Sequence, residues 1–174
     1  MSDILRPDHN DLQQFFADAV GEVIAQHVAS HGMDDVTAYL GGLLAAFAQT
    51  DRMFGLHDAE GKPLRSVIEM IAAGDVRLNA QSFEQERTVH KHLADYILFW
   101  SGVYPPHLER LQLEDVAFRL SYQSQGAASY AVVGSFDYPP HDAEAPTFLK
   151  LSEGFPEFVW ALQVVARQIP LYAA

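Results

Sequence analysis

The sequence contains no cysteine. That single absence removes disulfides, thiolate nucleophiles, iron–sulfur ligation and cysteine-based zinc sites from consideration. Positive charge is scarce too: 11 lysines and arginines face 23 acidic residues, for a formal net charge of −12. A phosphate backbone or an anionic bilayer would meet net repulsion, and the basic residues stand singly, without the run that makes a local basic patch. Neither nucleic acid nor membrane is an expected partner. Long apolar runs are missing as well. Leu43 to Ala48 and Tyr96 to Trp100 fall far short of the roughly 20 residues needed to span a bilayer. The opening stretch MSDILRPDHNDL carries acid where a signal peptide needs a basic flank, so the expected location is the cytoplasm.

Several catalytic signatures are absent. No glutamate has a histidine three residues on, the spacing that carboxylate-bridged di-iron bundles use to aim both side chains at one metal. His-Glu-x-x-His, Ser-x-x-Lys and Gly-x-Ser-x-Gly do not occur, which leaves no zincin, serine–lysine or nucleophile-elbow chemistry to assign. Gly55 to Lys62 looks superficially like a phosphate loop, but five residues separate Gly55 from Gly61 where four are required, and Pro63 takes the Ser/Thr position. It reads as a turn. No catalytic residue, metal site or cofactor is expected.

What is present is helical periodicity. With 49% hydrophobic and 20% charged residues over 174 positions, the chain has the composition of one ordered globular domain. Leu12, Phe15, Phe16, Ala19, Val23 and Ile24 follow the three-to-four spacing of a first helix, capped by Asp8 or Asn10 and ended by Gly32. A second helix opens at Asp34 or Asp35 and runs to about Phe54, apolar almost all round and therefore central. Pro63 to Gly74 forms a third. Ser82 with Gln85 is a capping-box pattern opening a fourth helix along Val89, Leu93, Tyr96, Ile97 and Trp100. A short piece from His107 to Leu111 leads into a helix from about Asp115 to Phe136, and Thr147 to Ile169 forms the last, kinked at Gly154 and Pro156. The expected fold is all-α: residues 1–174 as a single-domain bundle of six or seven helices, without a sheet.

Candidate site residues concentrate on the fourth helix. Asp95 lies four residues after Lys91 and three after His92, within side-chain reach of both, among apolar neighbours. A carboxylate at a core edge beside a histidine is how a general base is built, and equally how a buried helix contact is satisfied. The small-residue stretch from Tyr122 to Gly134 calls for close backbone approach by a neighbour. Gly41 and Gly42 are the natural counterparts, and a small ligand against Tyr122 and Tyr130 is the alternative. The weak ligand-binding candidates are thus His92, Asp95, Tyr122 and Tyr130. His27 and His31, four apart, read as a helix C-terminal pair without an acidic partner to complete a metal set. The pairs His57–Asp58 and His141–Asp142 fall in loops and read as turn residues.

Three segments carry a resemblance: VTAYLGGLLAAFAQTDRMFGL (Val36 to Leu56), RTVHKHLADYILFWSGVYPPHLER (Arg87 to Arg110) and YQSQGAASYAVV (Tyr122 to Val133). Together they resemble a bacterial family of helical proteins of unknown function. The family's most distinctive stretch has an Asp in mid-helix before a Leu-Phe pair, then Gly and Pro; here Ala94 stands before Asp95 where the family has Gly. The resemblance implies one helical domain and no particular activity. Two functions are therefore expected in competition. The first is action through protein association, as a homodimer, because the aromatic content from Tyr96 to Tyr104 exceeds what a small bundle must bury. The second is a small enzyme or ligand-binding protein with an inter-helix pocket near Asp95 and His92.

Overall fold

A computed structural model describes residues 9–29, 31–48, 82–106, 108–109 and 122–169. Six α-helices account for most of them: α1 (His9–His27), α2 (Asp34–Ala48), α3 (Phe83–Val103), α4 (Tyr122–Gly134), α5 (Ala145–Glu153) and α6 (Phe155–Gln168). No strand occurs among the described residues. The chain is an all-α bundle. The helix expected from Pro63 to Gly74 and the pair His57–Asp58 lie outside the described residues.

Local chemistry explains the helix ends. Ser82 is extended, and its Oγ accepts a hydrogen bond from the Gln85 backbone N–H at 3.1 Å, satisfying one of the donors that a helix start leaves open. Asp34 and Asp35 occupy the first turn of α2, where the helix dipole favours negative charge. α1 stops at His27, short of Gly32, which adopts φ +76° in the link to α2. His31 therefore lies beyond the helix, and the expected pairing of His27 with His31 on one face does not form.

The final helix expected from Thr147 to Ile169 is two helices. α5 starts two residues earlier, with Pro146 in its first turn, and ends at Gly154; α6 follows at once, with Pro156 in its first turn. Pro156 has no N–H to continue the preceding ladder, and its ring excludes the carbonyl four residues back. The kink signal was thus a break.

α1 and α2 form an antiparallel-type hairpin with the most extensive packing among the described helices, and α3, α4, α5 and α6 form a second group joined through α4. The core runs through both groups and includes Leu40, Leu44, Leu93, Ile97, Phe155 and Leu162, each fully buried. Each such side chain contributes about 1.5–3 kcal/mol on leaving water. Gly41 makes the hairpin tight: a Cβ there would lie 2.7 Å from the Ala17 backbone of α1. The small residues of α4 answer to different partners from the one expected. Gly126 lies under the Phe155 ring of α6, whose Cζ would sit 2.4 Å from an added Cβ. Gly41 and Gly42 face α1 instead.

The aromatic run of α3 also differs from expectation. Tyr96, Phe99 and Trp100 are 2%, 4% and 1% exposed. They fill the centre of the bundle, with Phe99 stacked on Phe47 of α2 at 4.4 Å. This core needs more aromatic volume than the sequence suggested, because α3 is covered on several sides at once.

Candidate functional site

Backbone packing is sparser where the α1–α2 hairpin meets α3 and α5, and polar side chains cross that seam. At one end Asp35 accepts from Thr147 Oγ1 at 2.8 Å and from Lys150 Nζ at 3.0 Å. Burial raises the Asp35 pKa, but the bonds from Lys150, Thr147 and the Val36 N–H outweigh it and hold the carboxyl below its ordinary value. In the middle of the seam stands Asp95.

Asp95 is 6% exposed, and three helices meet at its carboxylate. Tyr39 of α2 donates its hydroxyl to Oδ1 at 2.5 Å, and Tyr130 of α4 donates to the same oxygen at 2.6 Å. Lys91, one turn earlier on α3, donates to Oδ2 at 3.0 Å and lies 5.4 Å from the centre of the Tyr39 ring. Burial, reinforced by the negative charge of Asp95, raises both phenols well above the ordinary tyrosine value. They remain protonated donors at any physiological pH. With two donors on one oxygen and an ammonium on the other, most of the acceptor capacity of this carboxylate is filled. It is a satisfied buried charge that ties α2, α3 and α4 together.

His92 has the opposite character. Its Nε2 is buried without a hydrogen-bond partner. Burial lowers the His92 pKa, the charge of Asp95 partly opposes this, and Lys91 adds to the lowering. The imidazole is therefore neutral near pH 7, with one ring nitrogen a donor and the other an acceptor. It forms part of the wall of a cavity of about 300 Å³ between α1, α2 and α3, with Gln13, Tyr39, Leu43, Phe47 and Lys91. Asp95 reaches the same wall. A buried imidazole nitrogen facing no partner loses its hydration without compensation.

The four sequence candidates separate accordingly. His92 and Asp95 line the cavity; Tyr130 is fully buried beneath Asp95, among the rings of Tyr39, Phe148 and Phe155. Tyr122 is buried at the start of α4 and is not part of the cavity wall. Tyr39, Gln13 and Phe47 were not singled out from sequence. Tyr39 reads there as one more apolar position of α2, and nothing local connects it to Asp95, 56 residues away. A second polar contact joins α3 to α4, where the fully buried Ser129 lies 3.1 Å from His90 Nδ1 and accepts from Gln125 Nε2 at 3.1 Å. His141 engages Glu84 at 2.8 Å, while Asp142 is exposed. No group of three His, Asp or Glu residues suited to a metal ion occurs among the described residues, and no described helix is long and apolar enough to cross a membrane.

The fold and this geometry define an all-α bundle with a polar-edged inter-helix cavity. No protein-family model matches the chain, and neither a curated protein nor a solved structure was found to match it.

Proposed function

We propose that the protein binds a small molecule in the cavity between α1, α2 and α3, with His92 as the polar anchor. The observation that carries this reading is a cavity wall that sets Leu43, Phe47, Ala38 and Ala46 beside the polar groups of Gln13, Tyr39, Lys91 and Asp95, together with His92, whose Nε2 is buried and unpartnered. The volume, about 300 Å³, is at the lower end of the range for small-molecule sites, which combine apolar walls with a few convergent polar groups. The ligand carries one hydrogen-bonding group toward His92 and an apolar body toward Leu43 and Phe47. Asp95 acts as scaffold and not as base, because donors already occupy both of its oxygens. The proposed kinship with the helical bacterial family brings no activity, so the reading rests on the cavity alone. Action as a homodimer, the other expectation, loses its argument from Tyr96 to Tyr104, since Tyr96, Phe99 and Trp100 are interior.

Saturation-transfer NMR with benzoate, benzamide, phenol and indole, paired with native mass spectrometry of the purified protein, tests the proposal. We expect at least one probe with a polar substituent to bind, and to lose binding in His92→Leu. If no probe binds and no small molecule co-purifies, the reading fails.

A further inference from the structure

A second surface joins the start of α3 to the loop after α4. Phe83 and Tyr138 are 68% and 46% exposed. They border an open cleft of about 450 Å³ floored by Val132 and Phe136, and the Phe136 and Tyr138 rings lie 5.8 Å apart. The loop is held in place. Ser135 Oγ donates to the Val132 carbonyl at 2.6 Å, the His141 N–H to the Tyr138 carbonyl at 2.9 Å, and the His141 ring is joined to Glu84 on α3. The cleft is thus pre-formed, which lowers the ordering cost of binding.

Its rim is acidic. Glu86 lines the cleft, Asp137 lies between its two loop aromatics, and Glu84, Asp142 and Glu144 stand on the elements that frame it. The nearby basic side chains are already engaged: Arg87 is buried, paired with Glu144 at 2.9 Å and set over the Phe148 ring, and the His141 ring contacts Glu84. Among the described residues the other Lys and Arg side chains lie elsewhere, Lys91 at Asp95, Lys150 at Asp35 and Arg167 on α6. An aromatic cleft whose rim carries Glu86, Asp137 and Asp142 without a basic partner among the described residues is complementary to an apolar side chain flanked by positive charge. A second copy of this chain would bring two such rims face to face, and an anionic bilayer would be repelled.

We propose that the Phe83–Phe136–Tyr138 cleft docks a basic segment of a partner protein through one large apolar side chain with lysine or arginine on both sides. The test is fluorescence anisotropy with three labelled peptides: Lys-Arg-Leu-Phe-Lys-Arg, its counterpart with glutamate flanks, and its counterpart with Ala-Ala at the centre. The expected result is binding of the first alone, weakened at least tenfold by Phe83→Ser and by Glu86→Lys, and weakened further as salt rises from 50 to 300 mM. Phe83 is exposed, so the circular-dichroism melt of Phe83→Ser should match wild type and separate docking from folding. Equal binding of the acidic and basic peptides overturns the proposal. So does sedimentation showing a dimer that Phe83→Ser dissociates, which would make a second copy the occupant. An absence of peptide binding with a Phe83→Ser variant that melts earlier also overturns it, because a segment of the chain itself would then cover the cleft.

Discussion

Tyr39 and Asp95 are joined across the seam between α2 and α3 by a hydrogen bond of 2.5 Å to Oδ1, the oxygen that also receives Tyr130. Removing the acceptor strands both phenols, the fully buried Tyr130 and the partly buried Tyr39. Asp95→Ala is therefore expected to cost about 3–5 kcal/mol, in the range for breaking a buried charged contact from one side. Tyr130→Phe should cost about 1.5–3 kcal/mol, as for a single hydrogen bond to a charged group. Urea unfolding checks both. An Asp95→Ala variant within 1 kcal/mol of wild type would show that the carboxylate does not hold the helices.

His92 makes a prediction of opposite sign. Its folded pKa lies below the ordinary value of 6.5, so between those two values the unfolded chain binds more protons than the native one. Stability should be full above pH 6.5 and decline as pH falls from there toward the folded pKa. His92→Leu removes the titration and the unpartnered nitrogen together. Its stability at pH 7 should equal or exceed that of wild type, and its decline between pH 6.5 and 5 should be shallower. Thermal melts across that range decide it; a steeper decline in the variant would contradict the assignment.

Asp35 titrates lower. Its folded pKa is depressed below 3.8, so its contribution is present above that value and is lost as pH falls through the folded pKa. Asp35→Asn should flatten the acid limb of the stability profile below pH 4. The effect is small, since Asp35 and Lys150 are each about one-third exposed and solvent screens the pair.

Gly126→Ala would put a methyl group 2.4 Å from the Phe155 ring. Overpacking of this kind costs about 1–3 kcal/mol, and Phe155→Leu should restore part of the loss when the two are combined. Additive losses in the double variant, measured by denaturant titration, would show that the two side chains do not meet.

Much of the fold was legible because its signals are local. The Ser82–Gln85 cap, the heptad-like stripe through Leu93 and Trp100, and the acidic start of α2 each act within a few residues, and each lies where the sequence puts it. Pro156 was legible as a disturbance, although whether it bends or breaks a helix depends on packing around Phe155 and Phe158. The site was half legible. Asp95 and His92 stand out as polar residues in an apolar stripe, but which one is satisfied depends on Tyr39 and Tyr130, and only the folded chain brings those to α3. The partners of Gly41 and Gly126 were likewise unreadable, since a glycine announces a close neighbour without naming it.

The backbones of α2 and α4 hardly approach each other, yet both helices are tethered to the same oxygen of Asp95 through Tyr39 and Tyr130. A molecule wedging α2 outward would pull on that atom and so load α4, much as a cord tied to a common ring transmits tension. Occupancy of the cavity would then register in amide exchange along α4, a helix that contributes no side chain to the cavity wall.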